Sequence, residues 1–172
     1  TILDTARLRS RLAEYFSLSQ HNVHAYVLGE HGDSSVIPWS TANISNVPVT
    51  EYSKSFIKPG IIVPELSISE VEEYVRKSGA RVIQRKGPTF YAVSVSVCHI
   101  CKCLLSGIDT TLTVSTMLHG EYGIDDVCLS TLSVVGNNGI RSDVVLPLND
   151  EEIAKLHHSA DCLKEIINGL NF

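Results

Sequence analysis

The sequence predicts an α+β domain, an antiparallel sheet with long helices segregated from it. Two observations carry that expectation. Apolar residues at helical spacing mark the start of the chain, the stretch before residue 106 and the C-terminal end. Between them lie three runs rich in β-branched residues, 110–117, 127–135 and 142–146, joined by glycine turns. The 172 residues suffice for a single core, so one domain over 1–172 is expected.

Taken in order, Leu3-Asp4-Thr5-Ala6-Arg7-Leu8-Arg9 with Leu12 and Phe16 opens a helix from Thr1 to about Ser17. His21 to Leu28 reads as a strand that ends in a glycine turn, and Val36 to Ser40 as a short extended piece. Asn43 to about Leu66, with Pro48, Pro59, Gly60 and Pro64, reads as an irregular stretch wrapping the surface. Ser69-x-x-Glu72 is a capping box that starts a helix broken or kinked near Gly79. A further helix runs from about Thr89 to Ser106, with Pro88 suited to its first positions. Apolar residues at 90, 93, 97, 100, 101 and 104 predict that this helix is buried on most sides. Asn149-x-x-Glu152 caps the last helix, whose Ile153, Leu156, Ala160, Leu163, Ile167 and Leu170 form one apolar stripe.

Composition narrows the function classes. No apolar run approaches the roughly 18 residues a membrane helix needs, so no membrane span is expected. The net charge is −5 and the basic residues form no stripe, which argues against a nucleic-acid surface. Five cysteines, an odd number, suggest reduced thiols and a soluble cytoplasmic protein. Cys98-His99-Ile100-Cys101-Lys102-Cys103 invites a structural-zinc reading. No second ligand pair lies at finger spacing, however, and the expectation is core cysteines with no metal.

The chemistry concentrates in Gly29-Glu30-His31-Gly32-Asp33-Ser34, which follows the apolar run Ala25-Tyr26-Val27-Leu28. A tight turn there would lift one imidazole into a cleft, and histidine is the side chain that ionises nearest neutrality. Asp4 and Arg7, three apart on one helix, share a face. An aspartate on one ring nitrogen would fix the histidine tautomer and stabilise its protonated form. An arginine fork matches a carboxylate with two parallel hydrogen bonds. Set against this are a capping or core histidine in a glycine turn and a solvated intrahelical ion pair.

Leu3-Asp4-Thr5-Ala6-Arg7, then Tyr26-Val27-Leu28-Gly29-Glu30-His31-Gly32-Asp33-Ser34-Ser35-Val36 and Trp39-Ser40, resembles the L-lactate dehydrogenase family of the lactate/malate dehydrogenase superfamily. Lys86-Gly87-Pro88-Thr89-Phe90-Tyr91-Ala92, Gly120-Glu121-Tyr122-Gly123 and Asn138-Gly139-Ile140 also fall where the family has similar strings, so the likeness runs from Thr1 to about Cys162. Pro88, Leu132 and Asn137 depart from the residues common there. No G-x-G-x-x-G follows a strand, so the family's Rossmann domain is expected to lie outside this catalytic, C-terminal half. The exposed seam where that domain belongs should then be apolar.

The resemblance implies reversible NADH-dependent reduction of pyruvate to L-lactate in a cytoplasmic homotetramer, with NAD held mainly by the other half. It makes His31 the proton donor and Asp4 its partner. Arg7 would grip the substrate carboxylate, and Thr89 would line the pocket. Many bacterial members bind fructose bisphosphate with an arginine and a histidine at places matching Arg9 and His24, paired across a subunit two-fold. The bland alternative for these two is a solvated arginine and a strand histidine. A related malate or branched-chain 2-hydroxyacid dehydrogenase, and a non-enzymic oligomerisation or structural module, remain as other readings of the chain.

Overall fold

Leu8, Leu12 and Phe16 recur at one-turn spacing and draw the first helix, α1 (Ile2–Tyr15), onto a buried apolar cluster. The computed structural model describes residues 1–56 and 65–170. After α1, a single 3₁₀ turn (Gln20–Asn22) leads into β1 (Val23–His24). With β2 (Asn43–Ile44) and β3 (Val47–Pro48), β1 forms a small antiparallel sheet. Ser45 and Asn46 both take positive φ between β2 and β3, as a primed two-residue hairpin turn requires. Another 3₁₀ segment follows over Val49–Ser55. The irregular stretch expected from Asn43 to Leu66 therefore begins as a hairpin, while Pro59, Gly60 and Pro64 lie outside the described residues.

The long helices are α2 (Ile68–Lys86), α3 (Tyr91–Leu105) and α4 (Asp150–Asn168). Before α4, β4 (Thr110–His119), β5 (Asp125–Gly136) and β6 (Gly139–Val144) form an antiparallel sheet in that order. Helix α4 begins in the expected capping box: the Asn149 side chain accepts the Glu152 N–H, and Glu152 reaches back to the Asn149 N–H. Such a cap contributes about 1 kcal/mol.

Two apolar clusters organise the packing. One joins α1 and α2 to the small sheet, through Leu8, Leu12, Val23, Ile44, Val71 and Val75. The other joins α4 to the larger sheet, through Leu118, Val127, Leu129, Leu156 and Ala160. The segment 25–28 runs between them, with Ala25 and Val27 in the first cluster and Leu28 in the second. Alternating side chains of one extended segment thus face two cores, which explains why the run before the histidine is apolar throughout.

Several expectations need correction. The strand forecast over His21–Leu28 pairs only at β1 and at a bridge from Leu28 to Val36. Its middle bonds to side chains instead: the Val27 N–H donates to Thr5 Oγ1 at 2.9 Å, and the Val27 carbonyl accepts from Thr1. Val36–Ser40 keeps only that one bridge and then turns at Trp39-Ser40-Thr41. Helix α2 starts at Ile68 with Ser67 before it and no side-chain cap, so Ser69 lies inside the first turn instead of capping it, and the Glu72 carboxylate goes to Trp39 Nε1 and Arg76. It runs unbroken through Gly79. Helix α3, forecast as buried on most sides, contains no buried residue: Tyr91, Val95, Val97 and Leu105 are exposed. Cys98 and Cys101 are exposed too and Cys103 is half-buried, so these are not core cysteines, and all five thiols are free. The stripe on α4 is buried at Leu156 and Ala160 but emerges at Ile167 and Leu170, beyond the sheet.

Candidate active site

Helix α1 places Asp4 and Arg7 one turn apart, and Arg7 Nη1 donates to Asp4 Oδ1 at 2.9 Å. The helix is pinned here by Thr5, whose buried hydroxyl takes the Val27 N–H and lies 3.0 Å from Thr113 Oγ1 on β4. Asp4 is thereby fixed against the segment that delivers the histidine.

That segment leaves the sheet at Gly29, whose N–H donates to the Ser130 carbonyl at 2.8 Å. Gly29 has φ +85°, a left-handed conformation that disfavours any β-carbon. The Leu28–Val36 bridge closes the loop eight residues later. At its tip His31 Nδ1 lies 2.5 Å from Asp4 Oδ2. The Asp4 side chain is 8% exposed and the His31 ring 71% exposed. A nearly buried carboxylate thus holds the inner edge of an imidazole whose Nε2 edge is left free. Burying such a carboxylate is tolerable because each oxygen has a cationic or hydrogen-bonding partner.

A cavity of about 310 Å³ opens beside this group and brings together Asp4, Arg7, His31 and Thr89. Its far wall is α2, through Val75, Arg76, Gly79, Ala80 and Ile83. Sequence reasoning did not assign that wall. The spacing 75, 79, 83 marks one helical face, but nothing local to it indicates that the face meets α1 and the histidine turn. A second cavity of about 460 Å³ shares Asp4 and His31 and is walled by Val93, Val97 and Ile100 of α3.

Arg9 and His24 lie outside both cavities. The Arg9 guanidinium donates to the Gln20 carbonyl at 3.3 Å, in the turn that leads directly into β1. His24 is exposed on β1, in register with Asn43. No three His, Cys, Asp or Glu side chains gather to hold a metal ion among the described residues. No helix among them is long and apolar enough to cross a membrane.

A helix-borne Asp–Arg pair holding a turn-borne histidine, on an α+β frame, defines a class of protein, and comparison with known proteins identifies it. The family described as lactate/malate dehydrogenase, alpha/beta C-terminal domain, matches residues 1–171, and the chain belongs to that family. It is 42% identical over 171 residues to an L-lactate dehydrogenase of Acetivibrio thermocellus, covering 99% of this chain and 53% of that protein. It is 43% identical over 167 residues to an L-lactate dehydrogenase of Bacillus pumilus, covering 97% and 52%. Among solved structures, L-lactate dehydrogenase from Clostridium thermocellum superposes with a TM-score of 0.87 at 34% identity, covering 100% of this chain and 55% of that one. The minor L-lactate dehydrogenase from Enterococcus mundtii gives 0.90 at 32% identity, covering 100% and 54%. The chain spans about half the length of these relatives.

Proposed function

We propose that this chain is the substrate-binding and proton-transferring half of an L-lactate dehydrogenase that reduces pyruvate to L-lactate with NADH, reversibly, in the cytoplasm. The observation that carries the reading is the Asp4 carboxylate, which holds Arg7 with one oxygen and His31 with the other at the wall of one cavity. Protonated His31 gives the proton on its free Nε2 edge to the ketone oxygen, and Asp4 balances the charge of the imidazolium. Arg7 spends one N–H on Asp4 and turns its remaining donors to the substrate carboxylate, which fixes the ketone relative to the imidazole. Thr89 lines the same pocket.

NADH, when bound, supplies hydride to the carbonyl carbon. The residues present fit the nicotinamide end of that molecule, since the apolar cavity bordered by Val93, Val97 and Ile100 touches His31. They offer no glycine-rich turn for its pyrophosphate. The dinucleotide grip therefore belongs to a separate Rossmann domain, and the exposed apolar side of α3 suits a seam with it. On this reading residues 1–172 alone turn nothing over.

In the same proposal Arg9 and His24 are one half of a fructose-bisphosphate site across the two-fold of a homotetramer. Their support is placement: both lie at the surface, away from the cavity, on adjoining pieces of chain. Assays of the intact enzyme with NADH on pyruvate, oxaloacetate and 2-oxoisocaproate test the substrate. Pyruvate should give the highest kcat/KM. Preference for oxaloacetate or the branched ketoacid would move the reading to malate or a branched-chain substrate, and turnover of none would end it.

A further inference from the structure

Ser159 stands in the middle of α4, beside Leu156 and Ala160 on the buried face, with no exposure to solvent. A serine is a poor choice there. It is a weaker helix former than alanine, and its hydroxyl loses water on burial unless another group replaces it. The replacement comes from the histidine turn. The backbone N–H of Glu30, the residue immediately before His31, donates to Ser159 Oγ at 2.8 Å. Ser34 Oγ, on the other side of the turn, lies 3.2 Å from the same oxygen and also donates to the Glu30 carboxylate. Both limbs of the turn thus converge on one buried hydroxyl.

Gly29 completes the fit. A β-carbon at that position would stand 2.6 Å from Ser159 Oγ, so the glycine leaves room for the hydroxyl to reach the next amide. The turn's other anchors are few among the described residues: Gly29 pairs with Ser130, Leu28 with Val36, and the His31 ring is hydrogen-bonded to Asp4. The proton-transfer chemistry makes no use of Ser159, yet nothing else on α4 reaches into the turn's backbone with a polar atom among the described residues.

We propose that Ser159 is a positioning residue for His31. By holding the Glu30 amide it sets the direction in which the chain leaves the sheet, and so where the imidazole stands against Asp4 and the ketone. The inference rests on the reading of His31 as the proton donor. The final helix then has a task beyond filling the core: it anchors the turn that carries the chemistry.

The test compares the intact wild-type enzyme with Ser159→Ala and Ser159→Cys, the second keeping the size of the side chain with a weaker acceptor. Amide hydrogen exchange at Glu30 and His31, read by mass spectrometry, reports the contact without reference to activity. Exchange should rise in the order wild type, Cys, Ala. With pyruvate, kcat should fall on the order of tenfold in Ser159→Ala while KM moves less than about twofold, since the proton donor is displaced and the Arg7 grip is not. The hydride isotope effect, measured with deuterated NADH, should rise. If the alanine variant does not fold, the cysteine variant must show the same changes at smaller size. Unchanged exchange at Glu30 overturns the proposal, and so does a lowered Tm with kcat and isotope effect held, which would leave Ser159 a packing residue. A wild type without activity on pyruvate counts against the lactate reading alone, because the exchange experiment still reads the contact.

Discussion

Asp4 Oδ2 lies 2.5 Å from Nδ1 of His31, across 27 positions of sequence, with the carboxylate nearly buried and the ring nearly bare. The pair therefore has one fixed member and one presented member. Asp4 is locked by α1 and by Arg7, whereas His31 gains its orientation from Asp4 and from the backbone of its turn. Removing the carboxylate charge leaves the imidazole in place but without its counter-ion.

Asp4→Asn should accordingly keep the fold and lose function. The amide keeps one oxygen for hydrogen bonding, so thermal unfolding should shift by only a few degrees. Binding of ketoacid to the reduced binary complex should weaken, because the imidazolium proposed to meet the ketone oxygen would have no negative partner. Calorimetric titration with a non-reacting ketoacid analogue checks it; affinity equal to wild type would separate Asp4 from the chemistry.

Arg7→Lys preserves the charge and discards the fork. One ammonium cannot both hold Asp4 Oδ1 and present two parallel donors to a carboxylate. KM for pyruvate should rise at least tenfold with a smaller change in kcat. A near-normal KM would place the carboxylate grip on another residue, Arg76 on the opposite wall being the first to examine.

Much of this site was legible before the fold, and the reason is local. Asp4 and Arg7 meet because one helical turn separates them, and Gly29 announces the turn that presents His31. The capping box at Asn149 and the three strands of the larger sheet were readable for the same reason, periodicity and end chemistry acting over a few residues. What escaped depends on partners far away in sequence. The segment 25–28 alternates between two cores and is tied by the Thr5 hydroxyl, which no pattern within it reveals. Helix α3 looked like a core helix because its sequence is apolar, but α1 and the sheet approach it from one side only. The Ser69 capping box is not formed because the helix begins at Ile68, one residue earlier, and the Glu72 carboxylate is engaged by Trp39, thirty-three residues away.

Thr5 offers a stability prediction. Its hydroxyl accepts the buried Val27 N–H, and valine has nearly the same shape with no acceptor. Thr5→Val should cost about 1–3 kcal/mol, the penalty for stranding a buried donor. Urea unfolding of the intact enzyme measures it, and a loss below a few tenths would show that Val27 finds another partner.

Tyr122 offers a pH prediction. Burial pushes its phenol above the ordinary value, against the lowering effect of the Leu146 N–H that donates to it at 2.7 Å. The folded state therefore keeps the proton where the unfolded chain releases it. The resulting stabilisation is complete below the ordinary tyrosine value of about 10 and is lost as pH rises through the higher folded value. Unfolding free energy should fall more steeply above pH 10 in wild type than in Tyr122→Phe; parallel curves would remove Tyr122 from the alkaline transition.

Replacing His31 asks whether it is the proton donor to the ketone. His31→Gln keeps hydrogen-bonding capacity on an exposed turn and should fold as wild type does. In single-turnover reduction of pyruvate with NADH bound, the rate should drop on the order of 10²–10⁴-fold and its pH profile should change. A rate within about threefold of wild type, with the same pH profile, would contradict the account and require another acid in the cavity.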